Sequence, residues 1–143
     1  PWQPQNFQQI NTNGLTFSGH YRVFESGASN PSFMTGLSYT YLNPRQLSTE
    51  GAISRYAVES LRHQLVGMLN MQLYKGFSAS IAARYNQRIN YRDYTTVEAR
   101  MSFEKSRYNI YIDSSNLFDT QYVEAGAVPM PGRWFTLGLR FGI

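Results

Sequence analysis

The feature that most constrains this chain is a two-residue alternation of apolar and polar side chains, repeated in segments about ten residues long. Successive side chains of an extended strand point to opposite faces, so the pattern gives each segment one apolar and one polar face. Near the C-terminal end, Phe135, Leu137, Leu139, Phe141 and Ile143 alternate with Trp134, Thr136, Gly138, Arg140 and Gly142. Upstream, Ile110 and Ile112 alternate with Asn109, Tyr111 and Asp113, and Val97, Ala99, Met101 and Phe103 with Glu98, Arg100, Ser102 and Glu104. Four earlier segments repeat the rhythm: Phe77 to Tyr85, Leu65 to Leu73 (the least regular), Phe33 to Tyr41 and Leu15 to Val23.

This reads as about seven strands. Soluble β-sandwiches also alternate, but two details favour a membrane barrel. The strands run to ~10 residues or more, where soluble strands average ~5–6. The polar face carries Arg and Glu in mid-strand beside Gly and Ser, which suits a wet lumen better than a packed core. Connections also alternate in length. Tight turns are expected at Leu73–Phe77 and Lys105–Arg107, long linkers at Asn43–Glu59 and Asn116–Arg133, and an intermediate turn at Ser26–Pro31. In outer-membrane barrels the short side is periplasmic and the long side extracellular. Val58, Leu61, Leu65 and Leu69 fall at helical spacing. A strand from near Leu61 is preferred, because a lone helix would break the up-and-down order.

Composition fits this reading. Hydrophobic residues make up 42% of the 143, with a mean hydropathy of −0.42. No run approaches the ~18 apolar residues of a membrane helix, whereas barrel strands keep mean hydropathy low. Aromatic residues reach 15%, with 11 Tyr and 9 Phe, as interfacial girdles would need. The net charge is +4, but the basic residues are scattered and both lysines sit at turns, so no nucleic-acid partner is expected. Cysteine is absent, and His20 and His63 lack ligand spacing, so neither metal nor cofactor is expected. No GxSxG, phosphate loop or HExxH occurs. Glu59, Ser60 and His63 are close in sequence, but strand alternation sends Ser60 to the face opposite the other two. No catalytic residues are therefore assigned and the chain is read as a non-enzyme.

Asn116-Leu117-Phe118-Asp119, then Tyr122, then Pro129-Met130-Pro131-Gly132-Arg133, lead into the final alternating strand. This series resembles the closing segment of TonB-dependent transporters. The likeness covers residues 94–143 best; the earlier half is similar in strand rhythm, and Asn11–Gly19 resembles a strand opening of such barrels. The resemblance implies a transmembrane antiparallel up-and-down β-barrel of 22 strands with an N-terminal plug. Residues 1–143 would supply about the last seven strands, the C-terminal part of that barrel in the bacterial outer membrane. It further implies active import of a scarce nutrient of the corrinoid, haem, siderophore or glycan class. The implied partners are the rest of the barrel and plug (same gene or split subunit), TonB through the plug region, the lipid bilayer and a surface lipoprotein. The alternative is a small structural, adhesive or enzymatic barrel without a plug.

Phe17, Leu37, Leu69, Ile81, Met101, Ile112 and Leu139 are expected to face lipid. Arg22, Arg84, Glu98, Arg100, Asp113 and Arg140 are expected inside, pairing with one another or meeting the plug. The loops offer Arg45, Glu50, Arg55, Tyr56, Tyr122 and Glu124 to a ligand mouth. Gly132 is expected to allow tight re-entry into the strand, and Pro129 and Pro131 to stiffen an exposed loop. Seven spans leave two open edges, which hydrocarbon does not tolerate, so more polypeptide is expected to complete the barrel. A cysteine placed at Thr49 is expected to label from the cell surface; labelling only after permeabilisation would reverse this topology.

Overall fold

The structure, a computed structural model, describes residues 9–22, 32–47, 61–124 and 128–142. Seven strands account for most of them: β1 (Gln9–Arg22), β2 (Ser32–Leu47), β3 (Leu61–Tyr74), β4 (Phe77–Arg88), β5 (Tyr94–Lys105), β6 (Tyr108–Ser115) and β7 (Trp134–Phe141). They form one sheet in the order β1-β2-β3-β4-β5-β6-β7, and every neighbouring pair is antiparallel. The described residues contain no helix.

Each strand coincides with an alternating segment, and the differences lie at the ends. β2 continues through Pro44 and Arg45 to Leu47, opposite β1 back to Gln9, so the linker expected from Asn43 starts later. Asn43-Pro44 reads as a break, and β2 pairs with β3 only as far as Tyr41. Pro44 is paired with Thr12 of β1, and its place on the β3 side falls outside the described residues. β3 begins at Leu61 as a strand, so the helical spacing through Leu69 does not produce a helix there. The turn expected at Ser26–Pro31 lies outside the described residues.

Register carries the alternation across the sheet. Leu69 stands opposite Ile81, Ile81 opposite Ala99, Met101 opposite Ile112, and Ile112 opposite Leu137. Phe17, Tyr39 and Leu65 form another row of the same face. Arg22, Arg84, Glu98, Arg100, Asp113 and Arg140 all fall on the other face: Arg84 pairs with Thr96, Ala82 with Glu98, Arg100 with Asp113, and Asn109 with Arg140. The register shifts only at the two ends of β3–β4, between Leu61 and His63 and between Gln72 and Tyr74.

The sheet is a single layer without a core. Tyr94 is the one buried hydrophobic residue described, while Leu137, Phe141 and Phe17 are 76%, 71% and 62% exposed. The apolar belt is bounded by aromatic rings. Phe33, Phe77, Phe103, Tyr108 and Phe141 lie toward one end, and Tyr39, Tyr41, Tyr85 and Phe135 toward the other.

Two tight turns lie at the first of these ends, the turn end. Lys75 and Gly76 adopt φ of 39° and 89° to join β3 to β4, and Ser106 adopts 44° to join β5 to β6. The opposite, loop end carries the connections 89–93 and 116–133. Gly76 is required twice over. Its φ is one that side chains rarely adopt, and its carbonyl accepts a 2.9 Å hydrogen bond from Glu104 N, so an added Cβ would meet the Glu104 backbone. Gly76→Val is expected to cost about 2 kcal/mol or more, read as a lowered denaturant midpoint. Gly67→Ala, whose Cβ would find its nearest neighbour at 3.9 Å, is expected to change little.

Candidate functional site

Two features of the polar face can do chemistry: a stripe of paired charges in mid-sheet and a loop folded back over the loop end. In the stripe, the Arg100 guanidinium binds both oxygens of Asp113 on the neighbouring strand, with Nη2 donating to Oδ2 at 2.7 Å and Nε donating to Oδ1. Its Cζ lies 4.6 Å from the centroid of the Tyr111 ring. That ring leans across β7, where a Cβ at Gly138 would collide with it. A planar fork on a planar carboxylate fixes orientation as well as charge. Arg84 and Glu98 form a looser pair at 3.7 Å. Both pairs are partly exposed, so solvent screens them and they orient the side chains more than they stabilise the sheet.

Neutral groups fill the intervals. Ser78 Oγ and Ser102 Oγ are 2.7 Å apart, and Gln64 Nε2 donates to Asn86 Oδ1 at 2.9 Å. A depression of about 700 Å³ includes Arg22, Asn70, Gln72, Ser80 and Arg100 in its lining. Its wall mixes these hydroxyl, amide and guanidinium groups with Met34, Met71 and Ala79 and is polar for the greater part.

The loop is built on Asn116. This residue takes φ of 48° just after β6, and its side chain is buried. Its Nδ2 donates to the carbonyls of Thr120 (2.9 Å) and Pro131 (3.4 Å), while its Oδ1 accepts from Thr120 N at 2.9 Å. One amide thus joins the two limbs of the loop. Asp119, at φ 55°, accepts Arg133 N on Oδ1 at 2.8 Å. A Cβ at Gly132 would stand 2.5 Å from that oxygen. Gly132 leaves room for close approach of the carboxylate at the entry to β7; its φ is not positive, so the room comes from the missing Cβ rather than from a left-handed backbone. Leu117 N donates to Val97 O at 2.8 Å and Thr120 Oγ1 to Thr95 O at 2.9 Å, which fastens the loop to β5.

Past Thr120 the chain returns over the polar face. Tyr122 stacks on Tyr94 with centroids 4.4 Å apart. Tyr94 Oη donates to Glu124 Oε1 at 2.8 Å, and Arg88 approaches the same oxygen at 3.9 Å. Met130 N donates to Tyr122 O at 2.9 Å, and Val123 bridges to Pro129. Desolvation, and then the Glu124 charge, push the Tyr122 phenol above its ordinary range. A cleft of about 200 Å³ remains, with Arg84, Glu98, Tyr122 and Glu124 among its walls.

Of the residues assigned to a ligand mouth, Tyr122 and Glu124 come together here. Arg45 lies in β2, its backbone opposite Asn11, and its side chain is outside the description. Glu50, Arg55 and Tyr56 lie outside the described residues, as do Glu59 and Ser60. His63 stands on the apolar face with Nδ1 2.7 Å from Tyr39 Oη. No group of three metal-ligating side chains occurs among the described residues. Sequence reading missed Arg88 and Tyr94. Parity alone puts Tyr94 on the polar face with Thr96 and Glu98, but nothing in the alternation says that the loop returns to cover it.

No family model, curated protein or solved structure matches the chain.

Asn116→Ala removes three hydrogen bonds to the backbone of Thr120 and Pro131, each worth about 0.5–1.5 kcal/mol. The expected result is a protease-sensitive segment at 117–133 within a sheet that keeps its strands, read by limited proteolysis and mass mapping.

Proposed function

We propose that this chain is part of a bacterial outer-membrane β-barrel, the closing strands of a TonB-dependent importer of a scarce nutrient. One observation carries the membrane part of the reading: an apolar sheet face, bounded by aromatic rings, that no other described segment covers. Full burial of a large apolar side chain is worth roughly 1.5–3 kcal/mol, which a sheet of this kind forgoes across a whole face in water. Hydrocarbon supplies the missing cover. From Phe77 to Tyr85 the belt runs about 26 Å along the strand. At a tilt of ~40° this is about 20 Å of height, which the end rings extend toward the ~25 Å apolar band of such barrels.

The paired, hydrated opposite face supports a lumen, where Arg and Asp cost little. Short turns at one end then face the periplasm, and the 116–133 loop faces outward. Among the described residues β1 and β7 each pair on one side. Those edges require further strands in the bilayer, which the remainder of a large barrel would provide, in the same gene or as a split subunit. The importer reading over a small adhesive or structural barrel rests on the likeness of Asn116–Asp119, Tyr122 and Pro131–Arg133 to the closing segment of TonB-dependent transporters. In that reading Tyr122 and Glu124 border the ligand mouth, and Arg22, Arg84, Glu98, Arg100, Asp113 and Arg140 line the lumen.

Facing and transport can be tested in one set of strains carrying the complete receptor. Leu139→Arg is expected to destabilise the barrel by ~2–4 kcal/mol if near the midplane, and Thr136→Arg on the polar face by much less. Equal effects would remove the lipid assignment. Nutrient accumulation is expected to vanish without TonB; accumulation that persists would favour a passive or adhesive barrel.

A further inference from the structure

The chain has two lysines, Lys75 and Lys105, and both sit at the turn end of the sheet. Lys75 is in the β3–β4 turn, Lys105 ends β5, and Arg107 follows in the next turn. All three are exposed. The 2.9 Å hydrogen bond from Glu104 N to Gly76 O holds the two turns side by side, so the three cations share one short arc of the edge. The Lys75 ammonium lies 4.9 Å from the centroid of the Tyr74 ring.

Directly inboard, the apolar face presents an aromatic patch. Phe77 and Phe103 have centroids 4.5 Å apart, and Phe103 and Tyr108 are 6.3 Å apart. Lys105 lies on this face opposite Tyr108, while the acid in the arc, Glu104, pairs with Asn109 on the polar face. Among register-paired positions with described side chains, Lys105 is the one Lys, Arg, Asp or Glu on the apolar face. One lysine over a ring, two more cations beside an aromatic patch, and the acid turned to the other face fit an amphiphile with an anionic head and apolar tails.

We infer that Lys75, Lys105 and Arg107 form a binding site for an anionic phospholipid headgroup, with the acyl chains against Phe77, Phe103 and Tyr108. The inference rests on the membrane reading, which puts this edge at the periplasmic leaflet. Each cation near an anionic headgroup layer contributes a factor of about five. Removing three is therefore expected to lower retention at least about tenfold, even if half the effect is lost.

The test is native mass spectrometry of the complete receptor, released from nonionic detergent with phosphatidylglycerol or phosphatidylcholine of identical chains. Wild type is expected to retain phosphatidylglycerol preferentially, and ~1 M salt before release to abolish the preference. The triple variant Lys75→Gln/Lys105→Gln/Arg107→Gln is expected to lose it. Lys75→Arg/Lys105→Arg and the polar-face control Arg140→Gln are expected to keep it. Equal retention of the two lipids by wild type, a preference indifferent to salt, or a folded triple variant that still prefers phosphatidylglycerol overturns the site. Stronger retention of a phosphorylated outer-leaflet glycolipid would also overturn the assignment to phospholipid. Heat-modifiable migration in the same samples separates the two levels: a receptor that stays monomeric in buffer without detergent refutes the membrane reading itself, whereas an intact barrel without preference refutes the lipid site alone.

Discussion

Neighbouring strands share backbone N–H and C=O groups along almost their whole length, and this ladder sets the positions of everything else. A single-layer sheet has little side-chain packing to fix register, as the near-absence of buried hydrophobic residues makes plain. Register is held by the ladder and by the cost of slipping it. A shift of one residue would move a belt of Leu, Ile, Met and Phe to the polar face and Arg, Asp and Glu to the apolar one. The two register shifts in β3–β4 fall at strand ends, where a bulge disturbs neither belt.

Given that ladder, the polar face needs little energy from its charges. Arg100 and Asp113 are brought opposite each other by the β5–β6 register, and the bidentate contact then fixes which way the guanidinium turns. The absence of a side chain at Gly138 lets Tyr111 lie flat beneath it. Such a wall is patterned and polar rather than cohesive.

The loop after β6 works differently, because its described residues form no ladder beyond one isolated bridge. Short polar side chains substitute for it. Asn116 and Asp119 both take left-handed conformations, which Asn and Asp tolerate better than most residues, and both use their side chains to satisfy backbone groups. Tyr122 and Glu124 are thereby set over Tyr94 and Arg88. The loop's position follows from a few specific hydrogen bonds, and it is correspondingly sensitive to single substitutions.

Strand number, strand type and the identity of the two faces were legible in the sequence. Alternation with period two is a local property: whether Phe135 and Leu137 share a face depends only on the extended backbone between them. Positions 116 and 133 as loop limits were legible for the same reason, since the alternation stops and restarts there. Other features needed contacts between residues distant in sequence. Pro44 reads locally as a break, but pairing with β1 carries β2 past it. Gly132 reads as a turn glycine, yet the tertiary structure requires it for the space beside the Asp119 carboxylate, thirteen residues away. Likewise no local pattern pairs Glu124 with Tyr94 and Arg88, or sets Lys75 beside Lys105 and Arg107. The period of a sequence determines which way a side chain points; only the register between strands and the return of a loop decide what it meets.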